Sequence, residues 1–287
     1  MLLEDILTEF REHLRSRGFS ARTVSAYAGA VRRFAAWLSR DGAFDPASVS
    51  ALDVAEWKRS MQEAGRKPPT VNASLDALSA LFSWAVSRGL APSDPAAGVK
   101  RVPESRVGPR SLDRKALASL LRVLGREGTP RDRALVALLL YAGLRVSEAC
   151  SLRVCDLELR ERSGLVRVRL GKGGRWREVP LNAAARRELS AYLKEHRGGE
   201  WLFPGKGGPL TPRAAQKLVS WYGRLAGIPN LTPHVLRHTF CKQLVDAGES
   251  LDRVAVLAGH ASLDTTARYT RPSLSDLERA VGRLDWE

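Results

Sequence analysis

The sequence predicts a mainly α protein with a small β-sheet, built as an N-terminal four-helix unit followed by an α+β unit. Three observations carry this. Residues 1–89 repeat apolar side chains at steps of three and four, the period of a helix face. From Leu90 to Pro109 that periodicity stops and four prolines appear, Pro92, Pro95, Pro103 and Pro109, as in a linker. Beyond it one short region alternates in twos around Val166 and Val168, with helical patterns on both sides.

Taken in order, the first helix covers about 2–17. The second begins at Ser20, a suitable N-cap, and continues through Val24, Tyr27, Val31, Phe34 and Leu38. A third runs over 51–64. The fourth carries Leu75, Leu78, Leu81, Phe82 and Ala85 and closes at Gly89. The expected divisions are therefore a helical domain over 1–90, a linker over 91–110, a second domain over 111–272 and a tail helix over 273–287. In the second domain, helices over 113–124 and 130–142 precede the β region. There Val166, Val168 and Leu170 alternate with Arg167 and Arg169, Gly171-Lys172-Gly173-Gly174 turns the chain, and Trp176 to Val179 returns it. Leu157 and Leu159 supply a third strand. Helical patterns resume over 183–196, 212–226, 234–247, 250–258 and 262–271. The tail places Leu274, Leu277, Val281 and Leu284 on one face, suited to packing on its own domain. A helical lobe, a link and a basic lobe could close around a duplex as a clamp.

Composition narrows the function. Hydrophobic residues make up 44% of the 287, enough for packed cores. No apolar run approaches the roughly 20 residues that span a membrane, and Met1-Leu2-Leu3-Glu4-Asp5 is too acidic to open a secretory signal. Cys150, Cys155 and Cys241 are odd in number and form no CxxC, so they read as reduced, packed thiols in a cytoplasmic protein. Charge is uneven: residues 1–100 hold 13 basic and 11 acidic side chains, leaving 33 and 20 for 101–287, so net +2 and +13 of the total +15. A basic excess confined to one part suits a polyanion, nucleic acid above all.

Four segments carry candidate chemistry. In Ala142-Gly143-Leu144-Arg145-Val146-Ser147-Glu148, Gly143 can end a helix in the left-handed conformation and expose Arg145 at a turn, with Glu148 one helical turn on. Alone, that pair reads better as a surface ion pair. Lys172 sits at a glycine-flanked hairpin tip. Lys206 in Gly205-Lys206-Gly207-Gly208 competes with it, but Lys172 is preferred because alternating strands frame it and Lys206 lies in a Pro-flanked loop. Neither belongs to a P-loop. In Thr232-Pro233-His234-Val235-Leu236-Arg237-His238, Thr232 is a suitable N-cap and Pro233 a suitable first residue. His234 and Arg237 then share the first turn, where free amides favour a phosphate. His238 points away from Arg237 and reads as structural. A zinc helix would need Glu after His234, and Val235 stands there. Last, Gly259-His260 precedes Tyr269 by nine residues, and alone Tyr269 would read as a packed aromatic.

With these segments in hand, the chain resembles the tyrosine recombinase (phage integrase) family, and is most similar to the bacterial Xer recombinases. The resemblance covers nearly the whole chain and is densest from Tyr141 to Thr270. Arg145, Lys172, His234, Arg237, His260 and Tyr269 match, in order and approximate spacing, the family's two arginines, hairpin lysine, histidines and nucleophilic tyrosine. Glu148 matches the acidic residue that supports the first arginine. Leu257-Ala258-Gly259-His260 replaces the usual Leu-Leu-Gly-His, and Thr239-Phe240-Cys241-Lys242-Gln243-Leu244 departs from the housekeeping Xer pattern.

The resemblance implies an N-terminal SAM-like, core-binding domain and a catalytic domain of tyrosine recombinase type. It implies a site-specific recombinase that cleaves and rejoins double-stranded DNA through a 3′-phosphotyrosine, with no cofactor, metal or ATP. Arg145 and Arg237 would clamp the non-bridging oxygens and His260 would hydrogen-bond the same phosphate. Tyr269 would attack, His234 accept its proton and Lys172 protonate the departing 5′ oxygen. The partners implied are a specific recombination site and further copies of the chain or a paralogue, as a tetramer on two DNA sites, with the tail exchanged between protomers. Dimer resolution of chromosomes or plasmids and mobile-element integration or resolution are both open roles. Two other classes stand beside this one: a catalytically inactive DNA-binding paralogue, and a type IB topoisomerase-like strand-cleavage enzyme.

Overall fold

The structure, a computed structural model, describes residues 2–38, 44–103, 110–169, 176–260, 263–267, 269–270 and 281. It divides into two compact units, Met1–Arg106 and Val107–Glu287. It is mainly helical with small antiparallel sheets, the fold class its patterning predicts.

The first unit holds α1 (Leu3–Ser16), α2 (Ala21–Leu38), α3 (Ala51–Glu63) and α4 (Pro68–Ser87). Ser20 heads α2, its hydroxyl accepting from the Thr23 amide at 3.1 Å. Ser50 and Asp53 cap α3 reciprocally. Pro68 and Pro69 open α4, where the missing N–H costs nothing because first-turn amides have no intrahelical acceptor. The apolar stripes of all four helices meet in one core, with Ile6, Phe10, Val31, Phe34, Leu78 and Leu81 fully buried. The stretch after α4 is not loose as far as Val102. Ala91 and Ala96 join the core, Lys58 Nζ donates to Lys100 O at 3.0 Å, and Asn72 pairs with both backbone groups of Val102.

The second unit opens with α5 (Arg114–Glu127) and α6 (Pro130–Tyr141). Residues 134–140 of α6 are all buried, so this helix is apolar all round and sits at the centre of the core, packed on α8 and α10. A short helix, α7 (Val146–Cys150), follows it without a signal in the sequence, because five residues are too few to show a period. Strands β1 (Leu157–Leu159), β2 (Gly164–Arg169) and β3 (Trp176–Pro180) form an antiparallel sheet in that order, with Val166 opposite both Leu157 and Val179. Val166, Val168 and Val179 face the core. Then come α8 (Ala183–Glu195), the two-residue strands β4 (Pro204–Gly205) and β5 (Gly208–Pro209), α9 (Pro212–Leu225), α10 (Pro233–Asp246), α11 (Leu251–Ala258) and α12 (Leu263–Ala267).

Three expectations are corrected. Lys206 does not lie in a plain loop but at the tip of the β4–β5 hairpin, with Gly207 at φ +72° completing the turn. Cys155 is exposed rather than packed, whereas Cys150 and Cys241 are buried. The last helical pattern ends at Ala267 instead of 271. Tyr269 N–H donates to Thr266 O at 2.9 Å and Thr270 N–H to Ala267 O at 3.3 Å, three-residue bonds of a turn rather than an α-helix. Leu170, the turn Gly171 to Gly174 with Lys172, and the tail leucines 274, 277 and 284 lie outside the described residues.

Candidate functional site

The site assembles where three chain turns meet. The first is the α6–α7 junction. Gly143 takes φ +61° and ends α6 as expected, and a Cβ there would collide with the Phe240 ring, so both conformation and space demand glycine. The second is the first turn of α10, where Thr232 Oγ1 accepts from the Val235 amide at 3.3 Å and Pro233 follows. The third is the end of α11, closed by Gly259 at φ +65°.

Two arginines tie these turns together crosswise. Arg237, 3% exposed, donates Nη1 to Gly143 O and Nη2 to Ala258 O, the latter at 2.6 Å. Arg145 donates Nη2 to Gly259 O at 2.7 Å and Nη1 to Glu148 Oε1 at 2.8 Å, while the other Glu148 oxygen takes the Arg145 amide. Burial and then the neighbouring Arg145 lower the Arg237 pKa, yet a guanidinium keeps its charge in any protein. Each cation is thus held by carbonyls of the opposite turn, with 44% of the Arg145 side chain still exposed.

Glu148 is not half of a surface ion pair. A third guanidinium, Arg177 on β3, grips both its oxygens at 3.0 and 2.9 Å and donates Nε to Leu257 O at 3.2 Å. Burial alone would push the Glu148 pKa up. Arg177, followed by Arg145, outweighs that and holds it below the usual carboxylate range. The sequence reading missed Arg177. Its signal was the two-residue alternation itself, since Arg177 shares the inner face of β3 with Val179 and opposes Val168. A Cβ on Gly259 would lie 2.6 Å from Arg177 Nη1, so glycine here also makes room for the arginine. Three guanidiniums against one carboxylate leave the centre with excess positive charge, the electrostatics of an anion site.

His260 follows directly. Its Nδ1 lies 2.8 Å from Thr266 Oγ1 and its ring stacks on Tyr269 at 5.9 Å and 8°. Burial, then Arg237, Arg145, Arg177 and His234, depress its pKa to about 4, so it is neutral at pH 7. It can offer a phosphate an N–H rather than a charge. Tyr269 is 3% exposed, packed with Phe240, Cys241, Val254 and Ala258. Its hydroxyl lies 2.7 Å from Nδ1 of His238. The sequence reading set His238 aside as structural because it diverges from Arg237. The i, i+4 spacing from His234 was the available signal, and the two rings do meet, at 3.9 Å between centroids. His234 itself is exposed.

Of the seven residues singled out from sequence, Arg145, Glu148, Arg237, His260 and Tyr269 converge directly and His234 joins through His238. Lys172 lies outside the described residues, in the connection between β2 and β3. No cluster of His, Cys, Asp and Glu that could hold a metal occurs among the described residues. No helix among them is long and apolar enough to cross a membrane.

A helical unit followed by an α+β unit bearing this site is the build of the integrase-type recombinases, and the chain belongs to the phage integrase family, the tyrosine recombinases. Residues 110–275 match that family and residues 6–91 its N-terminal SAM-like domain. The relatives include Xer enzymes. The tyrosine recombinase XerC of Xylella fastidiosa strain M23 is 35% identical over 266 residues, 88% of this chain and 87% of that protein. The XerC of Mycobacterium sp. strain JLS is 33% identical over 296 residues, covering 97% of each. Among solved structures, the XerH site-specific recombinase bound to palindromic difH substrate in a post-cleavage complex superposes with a TM-score of 0.78 at 25% identity, over 91% of this chain and 79% of that one. The Tn1549 transposon integrase in complex with circular intermediate DNA shares the fold, with a TM-score of 0.73 over 97% of this chain and 99% of that one.

Proposed function

We propose that this protein is a cytoplasmic, Xer-like site-specific recombinase that cleaves and rejoins double-stranded DNA through a 3′-phosphotyrosine on Tyr269, without metal or ATP. The observation that carries the reading is the crossed arginine pair, held by the carbonyls of Gly143, Ala258 and Gly259, with the next residue, His260, stacked on the Tyr269 ring. Moving a phosphodiester from one alcohol to another needs charge placed on the non-bridging oxygens, a nucleophile and a proton for the leaving group. Arg145 and Arg237 supply the charge, two guanidiniums in the role that a cation fills elsewhere. His260 adds a neutral hydrogen bond to the phosphate, His234 accepts the proton of Tyr269, Glu148 fixes Arg145, and Lys172 protonates the 5′ oxygen. The phosphotyrosine keeps the energy of the diester, so rejoining consumes no nucleotide.

In this reading residues 1–90 are the core-binding domain, 91–110 the linker, 111–272 the catalytic domain and 273–287 a tail that docks on a second protomer. Four protomers, of this chain or with a paralogue, hold two DNA sites. The uneven charge supports the assignment of the DNA backbone chiefly to 101–287.

The full-length protein, incubated with sheared genomic DNA of its host and then denatured, is expected to keep DNA attached, with Tyr269 as the modified residue by mass spectrometry. The attached sequence defines the site, and a nicked duplex of that sequence then traps the intermediate. Tyr269→Phe should bind this duplex as before and trap nothing, with or without EDTA in the wild-type control. Adducts that persist in Tyr269→Phe, or an EDTA-dependent wild type, overturn the proposal. For Lys172→Ala, cleavage should slow about 100- to 10,000-fold. A bridging 5′ sulfur, whose thiolate leaves without an acid, should restore it in that variant but not in Arg237→Ala.

A further inference from the structure

Arg177 does more than neutralise Glu148. The two side chains are 8% and 10% exposed, so both lie beneath the surface that a phosphate could reach. From β3 the Arg177 guanidinium meets two other elements at once. Nη1 and Nη2 go to the two oxygens of Glu148 on α7, and Nε goes to Leu257 O in the last turn of α11. Each contact is one step from an anchor of the arginine pair. Glu148 Oε1 takes Arg145 Nη1 and Oε2 takes the Arg145 amide. The two residues after Leu257 hold the other ends: Ala258 O accepts from Arg237 Nη2, and Gly259 O from Arg145 Nη2.

Shape ties the three elements as closely as the hydrogen bonds do. A Cβ on Gly259 would lie 2.6, 2.7 and 3.0 Å from Nη1, Cζ and Nε of Arg177, so the turn that closes α11 rests against the edge of the guanidinium. Charge matching does not account for this. Arg145 already balances Glu148 at 2.8 Å, and a second cation in the same buried place adds desolvation cost. Geometry does account for it. A planar fork holds both oxygens of one carboxylate in a fixed plane, and its Nε sets the distance from that plane to the α11 backbone.

We propose, resting on the reading of Arg145 and Arg237 as the phosphate clamp, that Arg177 is the positioning residue that sets the spacing of that clamp. It acts through Glu148 on Arg145, and through the Leu257–Gly259 turn on the carbonyls that hold both arginines. It meets neither the DNA nor the reacting atoms. With Arg177 in place, the two guanidiniums stand at one separation before a phosphate arrives, and little reorganisation is left for the transition state. The family resemblance gives Arg177 no part in the site, so this role comes from the packing of β3 against α7 and α11.

The test uses the full-length protein and the nicked duplex defined above, with covalent capture followed at saturating protein and below the thermal transition of each variant. Arg177→Lys keeps the charge but loses the planar fork. It should bind the duplex like wild type and capture it about 100-fold more slowly, the cost of roughly 1 Å of misplacement. In a second duplex a methyl group replaces one non-bridging oxygen of the scissile phosphate, which removes the charge that the clamp meets. On this neutral phosphate the deficit of Arg177→Lys should shrink at least roughly tenfold, as should that of Arg145→Ala. In an Arg145→Ala background, Arg177→Lys should cost far less than about 100-fold, because a group it places is gone. Wild-type capture by Arg177→Lys overturns the proposal, since charge alone then suffices. So does an equal deficit on both duplexes, the mark of a general fold defect, and so do losses that multiply in the double variant. If Arg177→Lys misfolds, Glu148→Gln/Arg177→Met, which buries no unmatched charge, carries the comparison of the two duplexes. A deficit of Arg145→Ala that shrinks on the neutral phosphate shows the clamp reading standing, so that a negative result falls on Arg177 alone.

Discussion

The two units treat charge in opposite ways. In the helical unit the ion pairs are on the surface, as with Arg32 and Glu4 at 2.8 Å, where the side chains are 48% and 62% exposed. Arg88 and Glu9, at 3.2 Å, are alike. Its buried polar side chains among the described residues are the uncharged Asn72 and Ser74. The second unit buries Asp132, Asp156, Arg177 and Arg237. Such groups are costly to take out of water, and an apolar replacement of similar volume would often be as stable. The first unit therefore keeps charge out of its apolar core. The second gives up stability to hold cations in place before any anion arrives, which is what preorganised electrostatic catalysis requires.

The sharpest way to break this contrast is at Arg177. Arg177→Met leaves Glu148 buried with only Arg145 to balance it, and removing one partner of a buried pair costs about 3–5 kcal/mol. Calorimetry of the full-length chain should show the loss in the transition of the second unit. The double variant Glu148→Gln/Arg177→Met should regain most of it, because no buried charge is then unmatched. A loss below about 1 kcal/mol in the single variant, the range of an exposed pair, would put Arg177 in the same class as Arg32.

How much of this was legible follows the same divide. The four helices of the first unit are written in their apolar spacing, since burial there is the whole story. In the second unit, Gly143, Thr232-Pro233 and the strand alternation were readable because each has a local cause: a left-handed turn, an open first helical turn, a pleat. Arg177 was not, because an arginine on the inner face of a strand contradicts the rule that patterning relies on, and its partner Glu148 is 29 residues away in sequence. The contact of His238 with Tyr269 was hidden for a related reason: helix geometry shows which way His238 diverges from Arg237, but not that the chain returns Tyr269 to meet it. The α12 pattern ran past its helix because apolar spacing does not register where three-residue turn bonds take over. Lys172 rests on its glycine-flanked sequence and the family resemblance.

Acid should separate the units next. His260 has a folded pKa of about 4 against 6.5 unfolded. Between those values the unfolded chain binds the proton that the folded one refuses, so stability is full above about pH 6.5 and falls as pH drops toward 4. Glu148, with its pKa held below 4.5, extends the loss further down the scale, since its contribution is present above that value and fades beneath it. Thermal unfolding of the full-length protein at pH 7 and pH 5 should therefore shift the transition of the second unit downward. His260→Gln should flatten that response. A variant as acid-sensitive as wild type would mean that protons enter elsewhere.

The smallest effect expected is in the helical unit, and it is informative for that reason. Arg32 holds Glu4 through three hydrogen bonds, at 3.2, 2.8 and 2.9 Å, better geometry than many buried contacts. Geometry alone would rank this pair with Arg177 and Glu148, each a guanidinium bonded to both carboxylate oxygens. Solvent decides otherwise. At an effective dielectric near that of water the Coulomb term is about 1 kcal/mol, and ordering two long side chains offsets much of it. Arg32→Ala should change the stability of the helical unit by less than about 1 kcal/mol, and the difference should shrink further in about 1 M salt, where the screening length is roughly 3 Å. A salt-independent loss of several kcal/mol would mean that ion pairs in both units contribute alike, and that burial is not what distinguishes the site.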